Sequence, residues 1–376
     1  MKLLEVSFLN PNDKNGGGVE SYIRDLSNFL RRKGIEVTVI SAQIYNSNKS
    51  NQFSKSIKIP RVISLLRLTK IYYNIMLFFY VKYHGSQYDI IHINGDNGFY
   101  IPYIKHKKTI MTLHGSITES LKSGKSLPQH SGLKFYLRRR YLYLIHNYLG
   151  LFEEKACRRA NVVISVSNHL KDYFGQRTGR TDINVINPCV FFDKNYIINK
   201  NLRREIQNFR DQGNLICLWV GRDPVRKGLD IAKKSVKKMK DTILYTAGCF
   251  DVNVGKNIFN LGPLSRNSLL TLYDNSDVLL FPSKYEGFSI VIIEGMSHGL
   301  VPITLQIPSA IEMISNRVNG FICFNEEDIH KKLTYLLNNK NKLNSMKTAA
   351  KKRAIDFDCN VIYQKFYDLI IDLNKK

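Results

Sequence analysis

Residues 278–304 read VLLFPSKYEGFSIVIIEGMSHGLVPIT. The first four are apolar and suit a short buried strand, which Pro282 and Ser283 close. Gly287 frees the backbone to turn, and a helical segment follows. A second apolar strand begins at Val301. Strand, helix and strand so closely spaced make a β–α–β unit, and such units build parallel sheets covered on both faces.

The same alternation continues in both directions. Downstream of the middle of the chain, residues 215–220 and 242–247 read as strands with helical segments between them. In the first half, residues 2–8, 35–41, 89–93, 109–113, 161–165 and 183–186 read as strands. A helix over 19–33 carries Val19, Tyr22, Ile23, Leu26, Phe29 and Leu30 at the spacing of one buried stripe, and Gly34 ends it. Asn187 and Pro188 mark a turn between the halves. The expected fold is α/β, with two Rossmann-like domains facing each other. The first spans 1–188 and the second 189–355, and residues 356–376 form a final helix.

A chain of 376 residues is too long for one ordinary core. Its N-terminus reads as a strand, without the apolar stretch and small-residue site of a secretory leader. The longest apolar-rich run, 71–81, is broken by Asn74 and is too short to span a bilayer. The six cysteines have no metal-ligand spacing and read as reduced, mostly buried thiols of a cytoplasmic protein. The net charge of +25 speaks to partners rather than fold. Residues 37–88 and 120–152 hold no acidic residue at all.

Chemistry in open parallel sheets gathers beyond the C-terminal strand ends, and the candidate motifs follow predicted strands. Gly16, Gly17 and Gly18, with Glu20, lie between the first strand and its helix. The loop from Gly221 to Gly228 places Arg222 and Lys227 where two cations can converge on a diphosphate. Phe288 and Ser289 open a helix whose first N–H groups suit phosphate oxygens. Glu294 stands among Val291, Ile292 and Ile293, where a lone acid is costly without a partner. A plainer reading makes the loop a solvated basic turn and Glu286 a helix-start charge. His114 follows a buried strand, as do His92 and Asn94.

Taken in order, these residues resemble glycosyltransferase family 4, of the GT-B fold. The resemblance rests on Gly16–Gly18 with Glu20, His114-Gly115, VVISVS at 162–167, Gly221-Arg222 with Lys227-Gly228, and the segment 261–283 ending in Pro-Ser. It closes with Glu286-Gly287-Phe288 and Glu294. The sequence departs from the family pattern at Ser289, where glycine is common, and at Gly295, where alanine is common. It also lacks the glycine usual before Glu312.

The resemblance implies roles. Arg222 and Lys227 would hold the donor diphosphate and stabilise it as leaving group. Glu294 would bind the ribose, Glu286 the transferred sugar, and His114 would lie near that sugar. Gly17, Gly18, Gly221, Gly287, Phe288 and Ser289 would line the donor. The implied reaction retains anomeric configuration and needs no metal and no cofactor, a UDP- or GDP-linked sugar being a substrate. The implied acceptor is a glycan or a lipid-linked molecule, in surface polysaccharide or glycolipid synthesis.

Residues 134–152 set Arg138, Arg139 and Arg140 beside Tyr136, Tyr141, Tyr143 and Tyr148. Residues 61–83 set Arg61, Arg67, Lys70 and Lys82 on an apolar helix. Such surfaces suit an anionic membrane, so a cytoplasmic enzyme peripheral to the inner face of the cell membrane is expected. Charge alone also admits a nucleic-acid-binding protein, but no recognition motif is visible and no nucleic acid is expected. A non-catalytic GT-B partner subunit would have lost the donor residues.

Overall fold

The computed structural model describes the chain apart from residues 12–16, 44–53, 66–67, 106, 123–132, 193–195, 251–254 and 376, and the side chains of 121–122, 133–139 and 141–142. Gly16 and Arg67, and the side chains of Tyr136, Arg138, Arg139 and Tyr141, therefore lie outside the described residues.

The chain divides into two compact units. One comprises Met1–Pro188 with Asn360–Lys376, and the other Cys189–Cys359. In chain order the first unit holds β1 (Lys2–Val6), α1 (Gly18–Arg32), β2 (Glu36–Gln43), β3 (Ser54–Lys58), α2 (Arg61–Leu65), α3 (Thr69–His84), β4 (Ile90–Asn94) and β5 (Lys108–Leu113). It continues with α4 (Ile117–Lys122), α5 (Leu133–Arg159), β6 (Val162–Ser165), α6 (Asn168–Thr178) and β7 (Asn184–Val185). Its seven strands lie in the order β3-β2-β1-β4-β5-β6-β7, and every pair is parallel.

The second unit holds α7 (Lys200–Asp211), β8 (Leu215–Val220), α8 (Leu229–Val236), β9 (Thr242–Ala247), β10 (Ile258–Asn260), α9 (Arg266–Asn275) and β11 (Val278–Phe281). It goes on through α10 (Ile290–Ser297), β12 (Val301–Leu305), α11 (Pro308–Met313), β13 (Phe321–Cys323), α12 (Glu326–Asn338) and α13 (Lys340–Ala354), before α14 (Cys359–Lys375) leaves it. The six strands run β10-β9-β8-β11-β12-β13, all parallel. Numbered within the unit, this is 3-2-1-4-5-6, the doubly wound order. The order reverses between β8 and β11, and the corresponding reversal in the first unit lies between β1 and β4. Ligand sites form at such reversals because the flanking helices leave on opposite faces and open a crevice.

The strands are near-continuous buried runs, as parallel strands covered on both faces require. β3, β10 and β13 were not foreseen. All three sit at sheet edges, and β3 (SKSIK) shows no buried alternation. The run 71–81 lies within helix α3. Helix α14 belongs to the first unit. Its Tyr363 packs against Tyr22 and Phe29, and its Phe366 against the ring of His92. The six cysteines are free thiols, five of them buried. No described helix is long and apolar enough to cross a membrane.

Candidate functional site

In the second unit the β8 strand ends at Val220 and the loop 221–228 begins. Two glycines are forced on it. A Cβ at Gly221 would lie 2.9 Å from the Trp219 ring, and one at Gly228 would lie 2.1 Å from the carbonyl oxygen of Pro282. Gly228 also has φ +67°, a region side chains rarely adopt. The fully buried Trp219 donates its indole N–H to the carbonyl of Lys227 at 3.1 Å. The loop is thus tied to the core beneath it and to the end of β11 beside it.

Glu286 lies beyond β11 and is buried, not the surface charge of the plainer reading. One of its oxygens, Oε1, receives Lys227 Nζ at 2.6 Å, Arg226 Nη1 at 2.9 Å and the Ser283 hydroxyl at 2.7 Å. Arg226 also donates to the carbonyl of Tyr285 at 3.1 Å and pairs with Asp223. Burial pushes the Lys227 pKa down, and the Glu286 carboxylate partly restores it. Lys227 is therefore a cation that has lost water and depends on an anion for compensation.

Arg222 stands exposed at the head of the loop. The cation that meets Lys227 on Glu286 is Arg226, which the sequence reading passed over. Its side chain needs the fold of the loop to reach Tyr285 and Glu286 beyond the end of β11, and spacing along the chain carries no sign of that.

Helix α10 begins at Ile290 with Ser289 as its N-cap, so Phe288 and Ser289 precede the helix rather than open it. Phe288 is buried and packs against Phe357. The Ser289 hydroxyl is buried, caps nothing and has no hydrogen-bond partner among the described residues. Such a hydroxyl beside the N–H groups of a helix start makes a donor set suited to anionic oxygen. One and a half turns on, Glu294 has the partners its apolar neighbours demand. Arg266 donates to Oε1 at 2.6 Å and the Tyr273 hydroxyl to Oε2 at 3.2 Å. Tyr273 stacks on His298, which pairs with Asp274.

In the first unit, the Glu20 carboxylate accepts the Gly17 N–H at 2.6 Å across the first turn of α1, which starts at Gly18. His114 follows β5. Its Nε2 lies 3.0 Å from Asn94 Oδ1, and the Tyr22 ring meets it edge-on. Burial, with His92 nearby, lowers its pKa to about 3. The ring is neutral at physiological pH and works through hydrogen bonds, not charge.

Two doubly wound parallel sheets, one of which gathers cations, a buried glutamate and a helix start at its strand reversal, define a protein of the two-Rossmann glycosyltransferase class. Solved structures share the fold. Sucrose-phosphate synthase of Thermosynechococcus elongatus superposes with a TM-score of 0.81 at 17% identity over 99% of this chain and 98% of that one. HepE of Anabaena, in complex with UDP and glucose, superposes with a TM-score of 0.74 at 16% identity over 99% of this chain and 100% of that one.

Residues 16–193 match the model of Glycosyltransferase Family 4 and residues 200–353 that of Glycosyl transferases group 1, so the chain belongs to the family 4 glycosyltransferases. Among relatives, the N,N'-diacetylbacillosaminyl-diphospho-undecaprenol alpha-1,3-N-acetylgalactosaminyltransferase of Campylobacter jejuni is 28% identical over 59% of this chain and 57% of its own. A glycosyltransferase of Methanocaldococcus jannaschii is 27% identical over 46% of this chain and 48% of its own. The chain thus matches about half the length of these relatives.

Proposed function

We propose that this chain is a retaining, metal-independent hexosyltransferase that uses a UDP- or GDP-linked sugar and acts on a glycan or lipid-linked acceptor in surface polysaccharide or glycolipid synthesis. The observation that carries the reading is the Lys227–Glu286–Arg226 cluster, set between the ends of β8 and β11 with the unpaired Ser289 hydroxyl close by in sequence.

In transfer, the bond from the sugar C1 to the diphosphate oxygen breaks, the acceptor hydroxyl oxygen bonds to C1, and the hydroxyl proton passes to the departing diphosphate. Negative charge builds on the departing diphosphate. Lys227 and Arg222 meet that charge, and the helix-start N–H groups with Ser289 take phosphate oxygens. Lys227 then divides its charge between phosphate and Glu286. Arg226 keeps the buried glutamate compensated meanwhile, since stripping a buried carboxylate of all partners is strongly destabilising. Glu286 accepts a hydroxyl of the transferred sugar, and Glu294, already oriented by Arg266 and Tyr273, accepts the ribose diol. HepE, the Anabaena neighbour crystallised with UDP and glucose, and the undecaprenol-linked acceptor in the name of the Campylobacter relative support the choice of donor and acceptor class.

The test is nucleotide-dependent thermal stabilisation followed by a donor panel. UDP or GDP should raise the Tm by binding the native state. Lys227→Ala and Arg222→Ala should abolish that rise and slow transfer about 10²–10³-fold. The product should keep the donor's anomeric configuration by NMR, and chelator should leave the rate unchanged. Full activity in both variants would refute the site.

A further inference from the structure

A buried polar chain runs across the strand reversal of the first unit. Glu5 on β1, His92 and Asn94 on β4, and Thr112 on β5 are all fully buried. Glu5 is level with His92, and Asn94 with Thr112, across the parallel ladders. The Asn94 amide nitrogen donates to Glu5 Oε2 at 2.9 Å and to the carbonyl of Val6 at 3.2 Å. Its two hydrogens are thereby spent. Its oxygen faces His114 Nε2 at 3.0 Å and can only accept. Turning the amide over would set its oxygen against a carboxylate and a carbonyl, so the orientation is dictated by its surroundings. On the far side Glu5 meets His92 Nδ1 at 3.0 Å, and His92 Nε2 meets the Thr112 hydroxyl at 2.7 Å.

We infer that Glu5 and Asn94 are positioning residues that hold His114 in its Nε2–H form, leaving Nδ1 as the acceptor for a hydroxyl of the transferred sugar. The inference rests on the proposed transferase reading and on the place near the donor sugar that the family resemblance implies for His114. No described residue hydrogen-bonds Nδ1, whereas Nε2 is fastened to a buried amide. The edge-on Tyr22 ring, 4.9 Å away, limits rotation of the imidazole. A carboxylate buried in a strand interior is costly. Here it sets the polarity of every hydrogen bond between itself and the histidine.

The tautomer is read directly from two-bond proton–nitrogen correlation spectra of the full chain, with the His114 signal assigned by its loss in His114→Asn. The expected result at neutral pH is a proton on Nε2 and none on Nδ1. A protonated Nδ1 would overturn the inference without touching the proposed activity.

Function is tested by two isosteres, using the nucleotide sugar that supports turnover. The amide oxygen of asparagine overlays Nδ1, and that of glutamine overlays Nε2. His114→Asn should keep kcat/KM within about tenfold of the parent, the scale of one ordinary hydrogen bond, and His114→Gln should lose clearly more. Asn94→Ala should populate both tautomers and lower kcat/KM about tenfold. The opposite ranking of Asn and Gln would sink the acceptor role of Nδ1. Unchanged activity in every His114 variant, with Lys227→Ala still strongly slowed, would remove His114 from the reaction while leaving the donor site standing.

Discussion

Glu286 shows how a single carboxylate can organise a site. Three donors converge on its Oε1, and two of them are cations. From the sequence, Arg222 and Lys227 were the expected pair on the loop. The geometry adds Arg226, because the loop between Gly221 and Gly228 brings it together with Lys227 onto one carboxylate oxygen. His114 offers a residue-scale prediction. Its pKa falls from 6.5 to about 3 in the folded state, through burial first and His92 second. Above pH 6.5 the ring is neutral in both states and has no effect. Below it the unfolded chain takes up a proton that the native ring refuses. Stability should therefore fall as pH drops from about 6.5 towards about 3, with a limiting slope of about 1.4 kcal/mol per pH unit. Urea unfolding of the parent and His114→Asn at pH 7.5 and 5.5 checks this. The parent should lose more on acidification, and equal losses would rule out the assignment. Glu153, whose pKa burial raises, contributes with the opposite sign but is common to both proteins.

At the scale of elements, the strands that build the sites were visible because they are short apolar runs flanked by turn residues. The edge strands β3, β10 and β13 were not, since β3 is little buried and β10 and β13 are only three residues long. The start of α10 fell later than expected, at Ile290. That shift turns Ser289 from a helix residue into an N-cap whose hydroxyl is spare. Helix α14 contributes Ile362, Tyr363, Phe366 and Ile370 to the core, all buried. Phe366 lies on the ring of His92, 4.9 Å between centroids. Phe366→Ala should cost about 3–5 kcal/mol by equilibrium unfolding. It should also loosen the His92–Glu5 side of the buried chain. A loss below about 1 kcal/mol would show that α14 is dispensable to the first unit's core.

For the whole molecule, the charge of +25 is the property most remote from the fold. On α3, Ile75, Phe79 and Tyr83 are exposed at helical spacing, and Val62 and Leu65 are exposed on α2. On α5, Tyr143, Leu144, Tyr148 and Leu151 are exposed near Arg140. We propose that these basic, apolar helix faces dock on anionic lipid, each cation near the surface adding about 1 kcal/mol. Flotation with vesicles containing phosphatidylglycerol should recover the protein at low salt and release it at high salt. Ile75→Glu with Phe79→Glu should weaken recovery. Equal binding to neutral vesicles, or none to anionic ones, would exclude the proposal.

Most of the strands and helices, the break near Pro188, and Lys227, Glu286 and Glu294 as candidate site residues could be read along the chain. Periodicity, turn chemistry and motif spacing are local properties of sequence. The partners of those residues could not. Arg226 on Glu286, Arg266 and Tyr273 on Glu294, and Glu5 acting on His114 through Asn94 join positions far apart or side chains folded back on themselves. Sequence alone determined which charged and polar groups this glycosyltransferase carries at its candidate site. Only the tertiary structure decided which of them are compensated, oriented or left spare, because hydrogen-bond polarity and the cost of burying charge are set by neighbours in space.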